Sequence, residues 1–147
     1  MTKDTVMLAI VEFDKSSKFK GIKNKHEFII QMRQNPLKKR ILREVGRKFR
    51  FTNDQYALVA GVTTRTYQRQ RPEEKLSINA SENTLRLAEI YQNGMIAFDK
   101  DEQSFQNWLN THIPALGNKK PIELITTGLG AEAVNDELLR IEYSVVG

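Results

Sequence analysis

Two histidines, His26 and His112, are the chain's only imidazoles, and they fall on different helical segments. Neither has a second ligand at the spacing of four that sets two metal-binding side chains on one helical face. The acidic pairs Glu73-Glu74, Asp101-Glu102 and Asp136-Glu137 are adjacent in sequence. On a helix such neighbours diverge, so they read as solvated edges rather than acid/base couples. Gly117, Gly128 and Gly130 read as helix stops rather than as a phosphate-cradling loop. With no cysteine, thiolate metal sites, disulfides and cysteine nucleophiles are excluded. The expectation is therefore a protein that is not an enzyme and carries no cofactor or metal.

The most specific local chemistry lies between Thr52 and Arg71. Thr52-Asn53-Asp54-Gln55 has the spacing of a capping box, in which hydroxyl and amide satisfy each other's free backbone N–H groups. It opens a helix over about Asn53–Ala60 that Gly61 stops; Thr63 then caps a second, Thr64 to Gln70. Two short helices around a glycine-containing turn predict a helix-turn-helix. Small Ala57 falls where the helices must approach, and Tyr67 faces inward. That leaves Thr63, Thr64, Arg65, Gln68 and Arg69 outside. Arg can bind guanine with two hydrogen bonds, Gln adenine likewise, and Thr a thymine methyl or a phosphate. Arg47, Lys48, Arg50 and Arg71 are placed to meet the sugar-phosphate backbone.

Charge supports that reading. The chain has 147 residues, a net charge of +5, 39% hydrophobic and 28% charged residues. Residues 1–70 hold 16 Lys+Arg against 6 Asp+Glu, whereas 71–147 hold 7 against 12. A basic front and an acidic back call for different partners, a polyanion for the first. A basic run by itself is as readily a solvated face; the capping box and the Ala/Gly spacing tilt the reading toward DNA. The longest apolar run, Val6 to Val11, is far too short to span a bilayer, and no secretory leader is evident, so a cytoplasmic, membrane-free protein is expected.

The elements that position these groups are all helical. Val6–Phe13 could be a short strand or a helical turn, followed by a Lys/Ser-rich connector over Lys15–Lys25. A short helix is predicted over His26–Gln34, ended by Asn35-Pro36. The next spans Leu37–Phe49, with Ile41, Leu42, Val45 and Phe49 inward and Lys38, Lys39, Arg40, Arg43, Arg47 and Lys48 mostly outward. After a polar connector, Arg71–Ser77, a helix begins at Asn79 with Glu82 as its capping partner and Leu87, Ile90, Tyr91, Met95 and Phe98 as core. Asp99–Asp101 breaks it. A helix built on Phe105, Trp108 and Leu109 ends at Ile113-Pro114, and Gly117-Asn118 turns the chain. Pro121 opens a helix over Ile122–Thr127 that Gly128 terminates. A last helix runs from about Ala131, lined by Val134, Leu138, Ile141 and Val145. The expected organisation is an N-terminal extension (1–24), a helix-turn-helix part (25–75) and a helical part (76–147).

The C-terminal half resembles a known family. Ser81-Glu82-Asn83-Thr84-Leu85-Arg86-Leu87-Ala88, Phe105-Gln106-Asn107-Trp108-Leu109 with Ile113-Pro114-Ala115-Leu116-Gly117, Pro121 to Gly128, and Glu137 to Tyr143 are similar, in order, to the blocks of Xre/ParS/MbcA-type antitoxins. Thr64-Arg65-Thr66-Tyr67-Gln68-Arg69 resembles the family's recognition-helix segment, which adds Thr66 to the DNA-facing set. The likeness runs from about Leu37 to the C-terminus. Ile113-Pro114 departs from the family's usual Pro-Asn, and Ser144-Val145-Val146-Gly147 replaces the glycine that usually follows Tyr143.

The resemblance implies an all-α, dimeric antitoxin that binds operator DNA, represses its own operon, and blocks a RES-domain toxin that consumes NAD⁺ or transfers its ADP-ribose. A back half with a charge balance of −5 would complement a basic groove that holds the phosphates of NAD⁺. Trp108, Leu109, Leu116 and Tyr143 are residue types that anchor interfaces, although Trp108 and Leu109 share helical spacing with Phe105 and so suit a core equally. Arg140 and Tyr143 fall off the inward face, and Glu142 belongs to the same motif. A stand-alone DNA-binding regulator with a dimerisation or sensing domain is the alternative.

Overall fold

A computed structural model describes residues 25–146, with side chains over 26–144. The element expected at Val6–Phe13, the connector after it as far as residue 24, the side chain of Val145 and the terminal Gly147 lie outside the described residues. Within them the chain forms eight α-helices and no strand.

Helix α1 (Lys25–Gln34) buries Phe28 and Met32. Helix α2 is Lys39–Arg47, shorter at both ends than the pattern predicts. Its N-cap, Lys38, supplies no side-chain acceptor. The first amides turn instead to the connector: Lys39 N donates to Glu74 O (2.8 Å) and Arg40 N to Pro72 O (2.9 Å). A helix start can be satisfied by any carbonyl, so here a distant segment sets it. At the other end Arg50 takes a left-handed φ of 57° and turns the chain.

Helix α3 (Asn53–Ala60) has the expected bounds and the complete capping box, Gln55 N to Thr52 Oγ1 at 3.2 Å and Thr52 N to Gln55 Oε1 at 2.8 Å. Gly61 follows at φ 72°, and Thr63 caps α4 (Thr64–Arg69) by accepting from Thr66 N at 3.1 Å. The connector is strapped down: Leu76 N donates to Leu37 O at 2.8 Å.

Helix α5 (Ile78–Ala97) starts earlier than Asn79 because Ser77, not a later residue, caps it, accepting from Ala80 N at 3.0 Å. Glu82 turns toward Arg33 instead (3.5 Å). Asp101 caps α6 (Glu102–Leu109), which ends short of Ile113-Pro114; a 3-10 turn, Pro114–Leu116, and the Gly117-Asn118 reversal follow. Helix α7 is one turn, Pro121–Leu124, and α8 (Gly128–Val146) begins at the glycine expected to end its predecessor. Thr127 decides this by accepting from Gly130 N at 3.1 Å. At Gly130 a Cβ would collide with Leu124 O, so only glycine allows α7 and α8 to meet this closely.

Helix α5 is the spine: it packs on α2 and α3 at one end and along α8, through the buried Val134 and Leu138, over most of its length. One core results. A chain of rings runs through it from Trp108 to Phe105 (6.2 Å between centroids), Phe49 (6.2 Å), Phe51 (5.6 Å), Tyr56 (5.4 Å) and Tyr67 (5.3 Å). Phe105, Phe49, Tyr56 and Tyr67 are buried, and each large side chain so covered contributes about 1.5–3 kcal/mol relative to exposure, with Phe51 and Trp108, partly buried, adding less. Two helix glycines make room for them: the Tyr56 ring occupies the space of a Cβ at Gly46, and the Phe105 ring that at Gly94.

Candidate nucleic-acid and protein interfaces

Helix α4 presents Arg65, Thr66, Gln68 and Arg69 to solvent and turns Tyr67 into the core. The threonines are engaged locally. Thr63 caps the helix and donates to Thr66 Oγ1 at 2.9 Å, and Thr64 donates to Asp54 Oδ1 at 2.7 Å. Among the described residues nothing holds the ends of Arg65, Gln68 or Arg69, so their donors and acceptors face water.

Four other cations expected beside them are placed differently. Arg71 is exposed and pairs with Glu74 (3.3 Å). Arg47 pairs with Glu44 (3.1 Å), and Lys48 lies over the Tyr91 ring (5.3 Å) within 4.0 Å of Glu102. With Arg50 these last two line a groove between α2, α5 and α6. Gln106 closes that junction, its Nε2 donating to Lys48 O at 2.6 Å.

Lys39, expected on the outward basic side of α2, is instead only 7% exposed. Its Nζ donates to Tyr67 O (2.6 Å) and Gln70 O (2.8 Å) at the end of α4 and lies 4.2 Å from the centroid of the Tyr67 ring. Burial is the main cause holding its pKa below the usual lysine value, with Arg43 adding to the effect. Burial likewise raises the phenol of Tyr56 and pushes that of Tyr67 up to about 12. Helical periodicity marked Lys39 as inward no more than its neighbours, and only the arrival of α4 reveals its place.

The second candidate surface is on α6 to α8. Trp108 is half-buried against Phe105 and Phe98, and Leu116, the last residue of the 3-10 turn, is half-buried too. Leu109 is 0% exposed and offers a partner nothing; its spacing with Phe105 carries it into the core. Arg140 is exposed and held by Glu137 (Nε to Oε1, 3.0 Å), Glu142 is half-buried, and Tyr143 is 69% exposed. Leu129, passed over because the helix was expected to begin after it, is 83% exposed. At 100° per residue it shares one face of α8 with Asp136, Arg140 and Tyr143.

The groups considered for catalysis stay apart or have structural partners. His26 lies on α1 and His112 after α6, its Nδ1 2.7 Å from Asn118 O. Glu73 is bound by Lys38 (2.9 Å) and Arg40 (3.1 Å), and Glu102 accepts from Tyr91 (2.6 Å). No group of three acidic or histidine side chains suited to a metal occurs among the described residues.

Comparison with known families gives two matches. Residues 29–89 match the antitoxin Xre-like helix-turn-helix domain, and residues 94–143 match the antitoxin Xre/MbcA/ParS C-terminal toxin-binding domain. No curated protein matches the chain. Neither matched family is an enzyme family. The first matched stretch ends and the second begins inside α5, the helix that both parts share.

Proposed function

The chain carries an Xre-like helix-turn-helix domain followed by an Xre/MbcA/ParS toxin-binding domain, the make-up of an Xre-type antitoxin, and from it we propose a protein that neutralises a RES-domain toxin and represses its own operon. In this reading residues 25–75 grip the operator as one half of a homodimer, and residues 76–147 cover the toxin. Arg65, Gln68 and Arg69 read bases, while Thr63, Thr64, Thr66 and Arg71 meet the backbone. Arg47 and Lys48, held by Glu44, Glu102 and Tyr91, add charge nearby without reading bases.

The observation that carries the DNA half is the set of α4 side chains left without intramolecular partners on a front end with a surplus of ten positive charges. No intramolecular ion pair has to be broken before these side chains meet phosphate and base edges. The toxin half is supported by the open face of α8, where Leu129, Arg140 and Tyr143 stand beside Asp136, and by Trp108, which is only half-buried. Residue types of this kind dominate binding energy when covered.

Co-expression with the neighbouring gene tests the reading directly. Cells carrying that gene should die alone and survive with this chain, and the purified chain should shift a duplex from its own promoter. Cells that grow equally well with the neighbour alone would dismiss the toxin assignment.

A further inference from the structure

A lysine ammonium is seldom buried, because stripping its water costs several kcal/mol unless every donor finds a partner. Lys39 is buried with its partners supplied by another helix: two carbonyls from the last turn of α4 and the face of Tyr67. Gln70 O lies past the last residue of α4, and Tyr67 O otherwise accepts only a long bond from Gln70 N (3.2 Å), so both have room for a further donor; a cation there also meets the negative end of the helix dipole. Helix α4 has six residues, too few to persist without outside support. Its N-terminal end is fixed by Thr63 and by Thr64 on Asp54; its C-terminal end is fixed by Lys39, which projects from the first turn of α2. Arg65, Gln68 and Arg69 lie between the two anchors.

We infer that Lys39 is a positioning residue for sequence readout: it touches no DNA, but clamps the end of α4 so that the three side chains meet base edges in one register. The inference rests on the reading of α4 as the recognition helix. Bidentate base contacts tolerate little displacement, whereas phosphate attraction tolerates much, so losing the clamp should remove discrimination and leave non-specific binding.

The test uses the full chain, with a duplex from its own promoter and a scrambled duplex of equal length and composition, titrated by fluorescence anisotropy over a salt series. Lys39→Met should weaken promoter binding about tenfold and scrambled binding less than about twofold, with an unchanged salt slope. Lys39→Arg, which can still donate to both carbonyls, should stay within about threefold of wild type on the promoter. Equal weakening on both duplexes with a shallower salt slope would make Lys39 a phosphate contact and overturn the inference. So would equal loss in K39M and K39R, which would assign the effect to packing, or undiminished discrimination in K39M.

Amide hydrogen exchange of the free protein reads the clamp without DNA. In K39M the amides of Thr66 to Gln70 should exchange about tenfold faster while α5 and α8 keep their protection. Unchanged protection there overturns the inference. Should wild type itself fail to prefer its promoter, the recognition-helix reading falls, and exchange alone judges the clamp. If K39M does not fold, Lys39→Gln replaces it with the same expectations.

Discussion

Tyr56 of α3 and Tyr67 of α4 lie face to face, with ring centroids 5.3 Å apart and 5° between their planes. The pair sets how the two helices of the helix-turn-helix are spaced. Tyr56 sits on Gly46 and donates its hydroxyl to Arg43 O at 2.9 Å, so α2 enters the same arrangement. The Tyr67 hydroxyl finds no partner among the described residues, so its burial rests on ring packing and on the Lys39 ammonium.

Stability should fall in alkali through this pair. The Tyr67 phenol is raised from 10.0 to about 12 in the folded state, chiefly by burial and then by Tyr56. A raised acid contributes its full stabilisation below the unfolded value and loses it as pH climbs through the folded one. Denaturant unfolding at pH 9 and at pH 12 should therefore differ by roughly 2 kcal/mol from this group. Tyr67→Phe should flatten that part of the profile, and an unaltered profile would refute the assignment.

Arg65→Ala and Arg69→Ala should each weaken promoter binding by about 1–3 kcal/mol and relax the base preference at one position. Both side chains are exposed and unpartnered among the described residues, so the melting temperature should move little. Anisotropy against single-base promoter variants checks the prediction.

Gly94→Ala should destabilise the whole chain. A Cβ there overlaps the ring of Phe105, which is in contact with Phe49, Tyr91, Phe98 and Trp108. Overpacking of this kind costs about 1–3 kcal/mol, and a chain of this size loses about 2–4 °C per kcal/mol, which calorimetry can resolve. A variant with wild-type melting behaviour would show that the ring can move aside.

Tyr143→Ala and Arg140→Ala should weaken toxin binding by about 1–2 kcal/mol each, Tyr143→Ala at nearly unchanged stability and Arg140→Ala with some loss, because buried Glu137 loses its partner. Leu109→Ala should do the opposite, costing about 2–5 kcal/mol of folding stability through the cavity it leaves, with no selective loss of toxin affinity. Calorimetric titration of toxin beside thermal melts separates the two.

Gln106→Leu should loosen the junction between the two parts. Lys48 O would lose the donor it has at 2.6 Å, and a partly buried carbonyl left unpaired costs about 1 kcal/mol, the low end of the range for buried groups. Faster amide exchange at the ends of α2 and α6, ahead of α8, is the expected signature.

Much of the helix-turn-helix was legible in the residues alone. Helix α3, its capping box, the Gly61 stop, the Thr63 cap and the inward Tyr67 all depend on atoms within a few positions of one another. The blocks shared with the antitoxin family were equally readable, because a run of residue types in fixed order needs no geometry. The C-terminal helix ends were harder. Asp99 and Lys100 do break α5, but the brevity of α7 and the start of α8 at Gly128 follow from Thr127 and from the Leu124 carbonyl pressed against Gly130.

By itself, then, the amino-acid order determined a helical chain with a basic front, an acidic back, a two-helix reading motif and the signature of a toxin-binding domain, since local capping, periodicity and composition act over short distances. Folding alone decided which charges remain available. It drew Lys39 inside to hold α4, tied Lys48 to Tyr91 and Glu102, sank Leu109 and left Leu129 in water. Each of these depends on a helix arriving from far along the chain, and no spacing within a helix records which neighbour will come to lie against it.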